Sequence, residues 1–141
     1  MGNKKKICII GLGYIGLPTA ALLANRDYQV HGVDINQETI DTINRGDIHI
    51  VEPELKKYVS SAVKKNSLRA NIKPIESDIF MIAVPTPFHN DKLNKASKSP
   101  KPNIDFIINA SKSIAPFVKS GNLILLESTS PVGTTEIMAN V

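Results

Sequence analysis

Ile7-Cys-Ile-Ile-Gly11-Leu-Gly13-Tyr-Ile-Gly16-Leu-Pro18, followed by small apolar residues and then Val30-His-Gly-Val-Asp34, decides how this chain folds. It reads as an apolar strand, a Gly-x-Gly-x-x-Gly turn, a helix, a second strand, and an acid at that strand's end. Each part suits a dinucleotide. Gly11 allows the tight turn, Gly13 lets backbone approach a pyrophosphate, and Gly16 lets the helix pack closely. The pyrophosphate then rests on free N–H groups at the positive end of the helix. Asp34 is spaced to accept hydrogen bonds from a ribose and to repel a 2′-phosphate, which selects NAD over NADP. Asp34 has a second possible use, capping the helix that follows.

The rest of the chain alternates strand and helix signals, as a parallel sheet covered on both faces requires. Strands are expected at Lys6–Ile10, Gln29–Val33, Leu68–Ile72, Asp78–Val84 and Leu123–Glu127. The first helix is expected over 14–26, with Pro18 in its opening turns, where a missing N–H costs little. Asn36 caps a second helix that runs to about Asn44 and stops at Gly46. Pro53 opens a third, carrying Leu55, Val59, Ala62 and Val63 at helical spacing. Asn103 caps a fourth that ends near Gly121, and Thr134 opens a fifth. The fold class is therefore α/β, a Rossmann-type doubly wound parallel sheet, truncated after about five strands. A helix opening at Thr134 should return to the sheet as a crossover into another strand. The expectation is an N-terminal NAD-binding domain over 1–141, incomplete at its C-terminal end.

Composition narrows the class. The 141 residues are 42% apolar and 21% charged, ordinary for a globular domain. No apolar run approaches the roughly 20 residues of a membrane span, so no membrane partner is expected. Lys4 to Lys6 precede an apolar stretch, but glycines and Pro18 break it and a signal peptide is rejected. The single cysteine excludes an intrachain disulfide and fits a reducing cytoplasm. The net charge is +4, with lysines spread over 56–57, 64–65 and the Lys92–Lys101 loop. Without a basic stripe or interleaved aromatics, no nucleic-acid partner is expected. The Lys92–Lys101 loop reads as a surface insertion, with a lid or an anionic-substrate contact as the alternative.

Two further stretches fall at the carboxyl ends of strands, where open α/β sheets bind ligands. They are Val84-Pro-Thr86-Pro-Phe88 and Glu127-Ser-Thr129-Ser-Pro-Val-Gly133-Thr-Thr135-Glu136. Both set hydroxyls and rigid prolines where a nicotinamide would lie. With the glycine turn, they resemble the UDP-glucose/GDP-mannose dehydrogenase family. Val33-Asp-Ile-Asn-Gln37, Thr42-Ile-Asn-Arg-Gly46 and Ile48-His-Ile-Val-Glu-Pro53 carry a nearer likeness to the branch acting on UDP-N-acetyl-D-mannosamine.

That resemblance implies a cytoplasmic, homodimeric oxidoreductase that converts a UDP-sugar C6 alcohol to a carboxylate while two NAD are reduced. The product would feed a surface polysaccharide. In the family a cysteine traps the aldehyde, a second hydride transfer gives a thioester, and water hydrolyses it. The resemblance assigns cofactor contacts to Gly11, Gly13, Tyr14, Ile15, Gly16, Asp34, Thr86, Thr129 and Thr135. Thr129 also takes the side facing the nicotinamide and the catalytic water. The nucleophilic cysteine, the catalytic lysine, the central helix and the UDP-sugar-binding domain have no counterpart in these 141 residues. Some members carry a basic residue five positions after the ribose acid; here Thr39 stands there.

Cys8, within an apolar strand, reads as buried structure and not as a nucleophile. His31, His49 and His89 lack metal-ligand spacing, so no metal is expected. Thr86 and Thr129 also serve as ordinary turn formers. Two functional classes fit: the cofactor domain of a sugar-nucleotide dehydrogenase, and a non-catalytic NAD-binding module. UDP-glucose and UDP-N-acetylglucosamine are alternative substrates for the first.

Overall fold

The computed structural model describes residues 4–88 and 102–141. Five strands, β1 (Lys6–Ile10), β2 (Gln29–Val33), β3 (Leu68–Asn71), β4 (Ile79–Ile82) and β5 (Leu123–Leu126), form one sheet in the order β3-β2-β1-β4-β5. All four pairings are parallel. The strand order therefore reverses between β1 and β4, and the carboxyl ends of all five strands line one edge. The ladder runs one residue further there. Gly11 N–H donates to Val33 O, Ala83 N–H to Ile10 O, and Glu127 N–H to Ile82 O, each at 2.8 Å.

Alternation along β1 divides the core in two. Ile7 and Ile9 meet helices α1 (Gly16–Ala24), α2 (Gln37–Asn44) and α3 (Leu55–Lys64) on one face. Cys8 and Ile10 meet α4 (Asp105–Ile114) and Met138 of α5 (Thr134–Ala139) on the other. Phe80, Ile9, Leu12 and Leu17 are among the largest fully buried side chains. Burying each is worth about 1.5–3 kcal/mol.

Several boundaries differ from the sequence reading. The first helix begins at Gly16, because residues 13–15 are spent on the turn. The third begins at Leu55 and not at Pro53, because Glu54 adopts a left-handed φ of 63°. The fourth ends at Ile114, where Ala115–Phe117 tighten into a single 3-10 turn around Pro116. A proline there cannot supply the N–H that another helical turn needs. Asn103 does accept the Asp105 N–H at 2.8 Å, one residue before the N-cap position. Asn36 caps α2 as expected, accepting from Glu38 and Thr39.

The link from β3 to β4 contains no helix. Residues 72–78 run back across the α4 face of the sheet, beneath β2 and β1. His31 Nε2 donates to the Lys73 carbonyl at 2.9 Å, and the Lys6 N–H donates to Asp78 Oδ2 at 2.7 Å. The strap covers Cys8, which has no exposed surface and whose thiol burial pushes up to about 11.

The expected Lys92–Lys101 loop and His89 lie outside the described residues. On either side of that stretch, Phe88 bridges Pro102 and Asn103 N–H donates to Pro87 O at 2.7 Å. No helix among the described residues is long and apolar enough to cross a membrane. Nor do three His, Cys, Asp or Glu side chains gather among them as a metal site would require.

Candidate dinucleotide site

The glycine turn is built by close approach. Gly11 has φ +94°, and a Cβ on it would stand 2.6 Å from Ala83 O, where the exit of β4 passes. A Cβ on Gly16 would stand 1.8 Å from Gly11 O and 3.4 Å from the Ala83 Cβ. Gly16 thus clears the turn's own carbonyl first and the neighbouring β4 exit second. Gly13 is different: nothing lies within 4 Å of the Cβ it lacks. Packing among the described residues does not demand glycine at 13, which leaves the backbone there open to an outside group.

The donors around Gly13 fit an anion. Gly13, Tyr14 and Ile15 N–H groups have no acceptor among the described residues, and Leu17 N–H donates to Gly13 O at 3.0 Å to begin α1. Helix α1 has no side-chain cap and no acid in its first turn. Its positive end is therefore left for a ligand's negative charge. Tyr14 and Ile15 are exposed beside it.

Asp34 is positioned from both sides. Its Oδ2 accepts the Leu12 N–H at 3.0 Å and its Oδ1 accepts the Asn36 N–H at 2.9 Å. The same carboxylate therefore fastens the glycine turn to the start of α2. An ionised carboxylate offers about four lone-pair sites, so two remain for ribose hydroxyls. Thr39 is buried within α2 and presents nothing to a 2′-phosphate.

Leu12 lies across β2. Its Cδ atoms stand 2.8 and 2.9 Å from where a Cβ on Gly32 would be, so the strand carries glycine in mid-course. Sequence reading had no use for Gly32, because the cause is a residue 20 positions away.

Around the exits of β4 and β5, Thr86 is half-buried, while Thr129 and Thr135 are exposed. The loops carrying Thr86 and Thr129 are joined. Ser128 Oγ donates to Val84 O at 2.7 Å, and Ser128 N–H to Ile82 O at 3.3 Å. Thr135 sits in the first turn of α5, next to buried Thr134, whose hydroxyl donates to Pro131 O at 2.7 Å. Among the described residues, Thr86, Thr129 and Thr135 hydroxyls make no bond to one another or to the glycine turn. Two concavities lie elsewhere. One, of about 300 Å³, is lined by Lys4, Lys6, Glu76, Asp78 and Lys119; the other, of about 290 Å³, is lined by Pro18, Leu22, Leu55 and Tyr58. Neither touches the glycine turn or Asp34.

A parallel sheet in this order, with a glycine turn at the reversal and an acid closing β2, defines a dinucleotide-binding Rossmann domain. Residues 5–141 match the family described as "UDP-glucose/GDP-mannose dehydrogenase family, NAD binding domain", and the chain belongs to that family. It is 55% identical over 139 residues to the UDP-N-acetyl-D-mannosamine dehydrogenase of Campylobacter jejuni, covering 99% of this chain and 32% of that protein. Two solved structures agree. The UDP-N-acetyl-mannosamine dehydrogenase from Staphylococcus aureus superposes with TM-score 0.82 at 38% identity, covering 96% of this chain and 32% of that one. The UDP-D-ManNAc dehydrogenase from Pyrococcus horikoshii superposes with TM-score 0.84 at 36% identity, covering 96% and 31%. The chain spans about a third of the length of these relatives.

Proposed function

We propose that this chain is the N-terminal NAD-binding domain of a UDP-N-acetyl-D-mannosamine 6-dehydrogenase. The enzyme would oxidise the sugar C6 alcohol to a carboxylate with two NAD, in surface polysaccharide synthesis. The observation that carries the reading is the 55% identity to the Campylobacter jejuni enzyme across 99% of the chain. The glycine turn and Asp34 support the cofactor half of that reading.

NAD supplies a hydride acceptor. The chain's own residues bind and orient it. Gly13, Tyr14 and Ile15 offer backbone N–H groups to the pyrophosphate, Gly11 and Gly16 shape the turn that aims them, and Asp34 accepts from the ribose. Thr86, Thr129 and Thr135 would contact the nicotinamide half, with Thr129 on the side of the nicotinamide and the catalytic water. The only thiol in the sequence, Cys8, lies sealed under the 72–78 strap and takes no part. The cysteine and lysine of the reaction, the UDP-sugar site and a homodimer contact belong to the longer protein, which works in the cytoplasm.

Calorimetric titration with NAD and NADP tests the cofactor half. NAD is expected to bind and NADP to bind more weakly, and the 141 residues alone form no NADH from UDP-N-acetyl-D-mannosamine. Equal affinity for both cofactors removes the Asp34 assignment. The longer protein is expected to yield two NADH per UDP-N-acetyl-D-mannosamine. Faster turnover of UDP-glucose or UDP-N-acetylglucosamine overturns the substrate.

A further inference from the structure

The Val84–Phe88 loop is unusually poor in its own anchors. Pro85 and Pro87 have no N–H to donate, so its shape depends on donors that come from outside onto its carbonyls. Two such donors exist among the described residues. Asn103 N–H reaches Pro87 O at 2.7 Å, and Ser128 Oγ reaches Val84 O at 2.7 Å. Ser128 is also the first residue past the last ladder bond of β5, and its N–H shares Ile82 O with that of Glu127. Its hydroxyl therefore links Val84, two residues before Thr86, to the residue that precedes Thr129. On the far side, Thr134 fastens Pro131. Thr129 is held between these two anchors.

We infer that Ser128 is a positioning residue: its hydroxyl clamps the β4 and β5 exit loops into one surface that receives the nicotinamide half of the cofactor. The second part rests on the reading proposed above, and the clamp itself does not. Ser128 touches neither cofactor nor substrate and acts through Val84 and Thr129.

The comparison of NAD with ADP-ribose, which shares the adenosine and pyrophosphate but lacks nicotinamide, separates this role from a general loss of stability. Ser128→Ala is expected to weaken NAD about fivefold, the worth of one net hydrogen bond. ADP-ribose should stay within about twofold, because its contacts lie at the glycine turn. Ser128→Thr, which keeps the hydroxyl, should restore NAD binding. Equal weakening of both ligands, or none, overturns the inference.

Hydrogen exchange on the ligand-free chain judges the clamp alone. Ser128→Ala should speed exchange together at the Asn103 amide, bonded to Pro87 O, and at the residue-128 amide, bonded to Ile82 O; acceleration at one only, or at neither, removes the clamp. A chain that binds no NAD refutes the cofactor reading, and the exchange result still decides the clamp. Should Ser128→Ala not fold, the unaltered chain decides. NAD should slow exchange in both loops and ADP-ribose in neither, and protection of a single loop overturns the coupling.

Discussion

The Leu12 backbone N–H, in the glycine turn, donates to the Asp34 carboxylate at 3.0 Å, so the acid at the end of β2 also holds the glycine turn. In the proposed site, one side chain would thereby set both the adenosine and the pyrophosphate contacts. Asp34→Ala removes this bond and the one to Asn36 N–H together. A stability loss of about 1–3 kcal/mol is expected, from two net hydrogen bonds. NAD affinity should fall by about tenfold or more, and the preference over NADP should shrink. Denaturant unfolding reads the first effect and paired calorimetric titrations the second; Asp34→Asn, which keeps one carbonyl acceptor, should fall between.

Gly13 and Gly16 separate site from fold within one motif. A methyl at 16 would lie 1.8 Å from Gly11 O, while a methyl at 13 would meet nothing within 4 Å. Gly16→Ala is expected to destabilise the chain by about 3 kcal/mol or more, since backbone has to move. Gly13→Ala should stay within about 0.5 kcal/mol of the parent, yet lose most NAD affinity. Thermal unfolding and NAD titration of the two variants check this contrast.

Glu54 holds a left-handed φ of 63° at the N-cap of α3 and makes no side-chain cap there. That conformation costs a non-glycine residue about 1–2 kcal/mol. Asn tolerates it better and can cap. Glu54→Asn is expected to raise stability by about 1 kcal/mol, read as a higher denaturant midpoint with an unchanged slope.

Cys8 gives a pH signature. Burial raises its thiol from 9.0 to about 11, so the folded chain keeps the proton that the unfolded chain loses first. Its contribution to stability is complete below pH 9 and is lost as pH rises toward 11. Two units correspond to about 3 kcal/mol. Cys8→Ala should show a correspondingly shallower fall in unfolding free energy between pH 8.5 and 11, as read from urea titrations. In the parent chain the thiol should resist alkylation at pH 8 until denaturant is added.

The fold was legible where cause and effect lie close in sequence. The Gly11–Asp34 unit, the Asn36 cap and all five strand positions rest on local spacing, turn chemistry and apolar runs. The third and fourth helix boundaries were misjudged for the same local reason. Apolar periodicity continues past Ile114, but the Pro116 ring outweighs it, and nothing in Pro53-Glu54 announces a left-handed residue. The 72–78 strap has no periodicity to read; its place follows from the sheet order. At the site, the threonines stand out by resemblance, and Ser128 does not. Its role depends on Val84, 44 residues earlier, and only the folded chain brings the two together.

Gly32 and Leu12 share a single allotment of space, the Leu12 Cδ atoms filling what a Cβ on Gly32 would take. Atoms added at 32 press on the Leu12 side chain, and Leu12 precedes Gly13 in the turn. On the cofactor reading, affinity should therefore respond to a strand residue that is not among the proposed contacts. Residues 12 and 32 should be exchangeable only as a pair that conserves their summed volume.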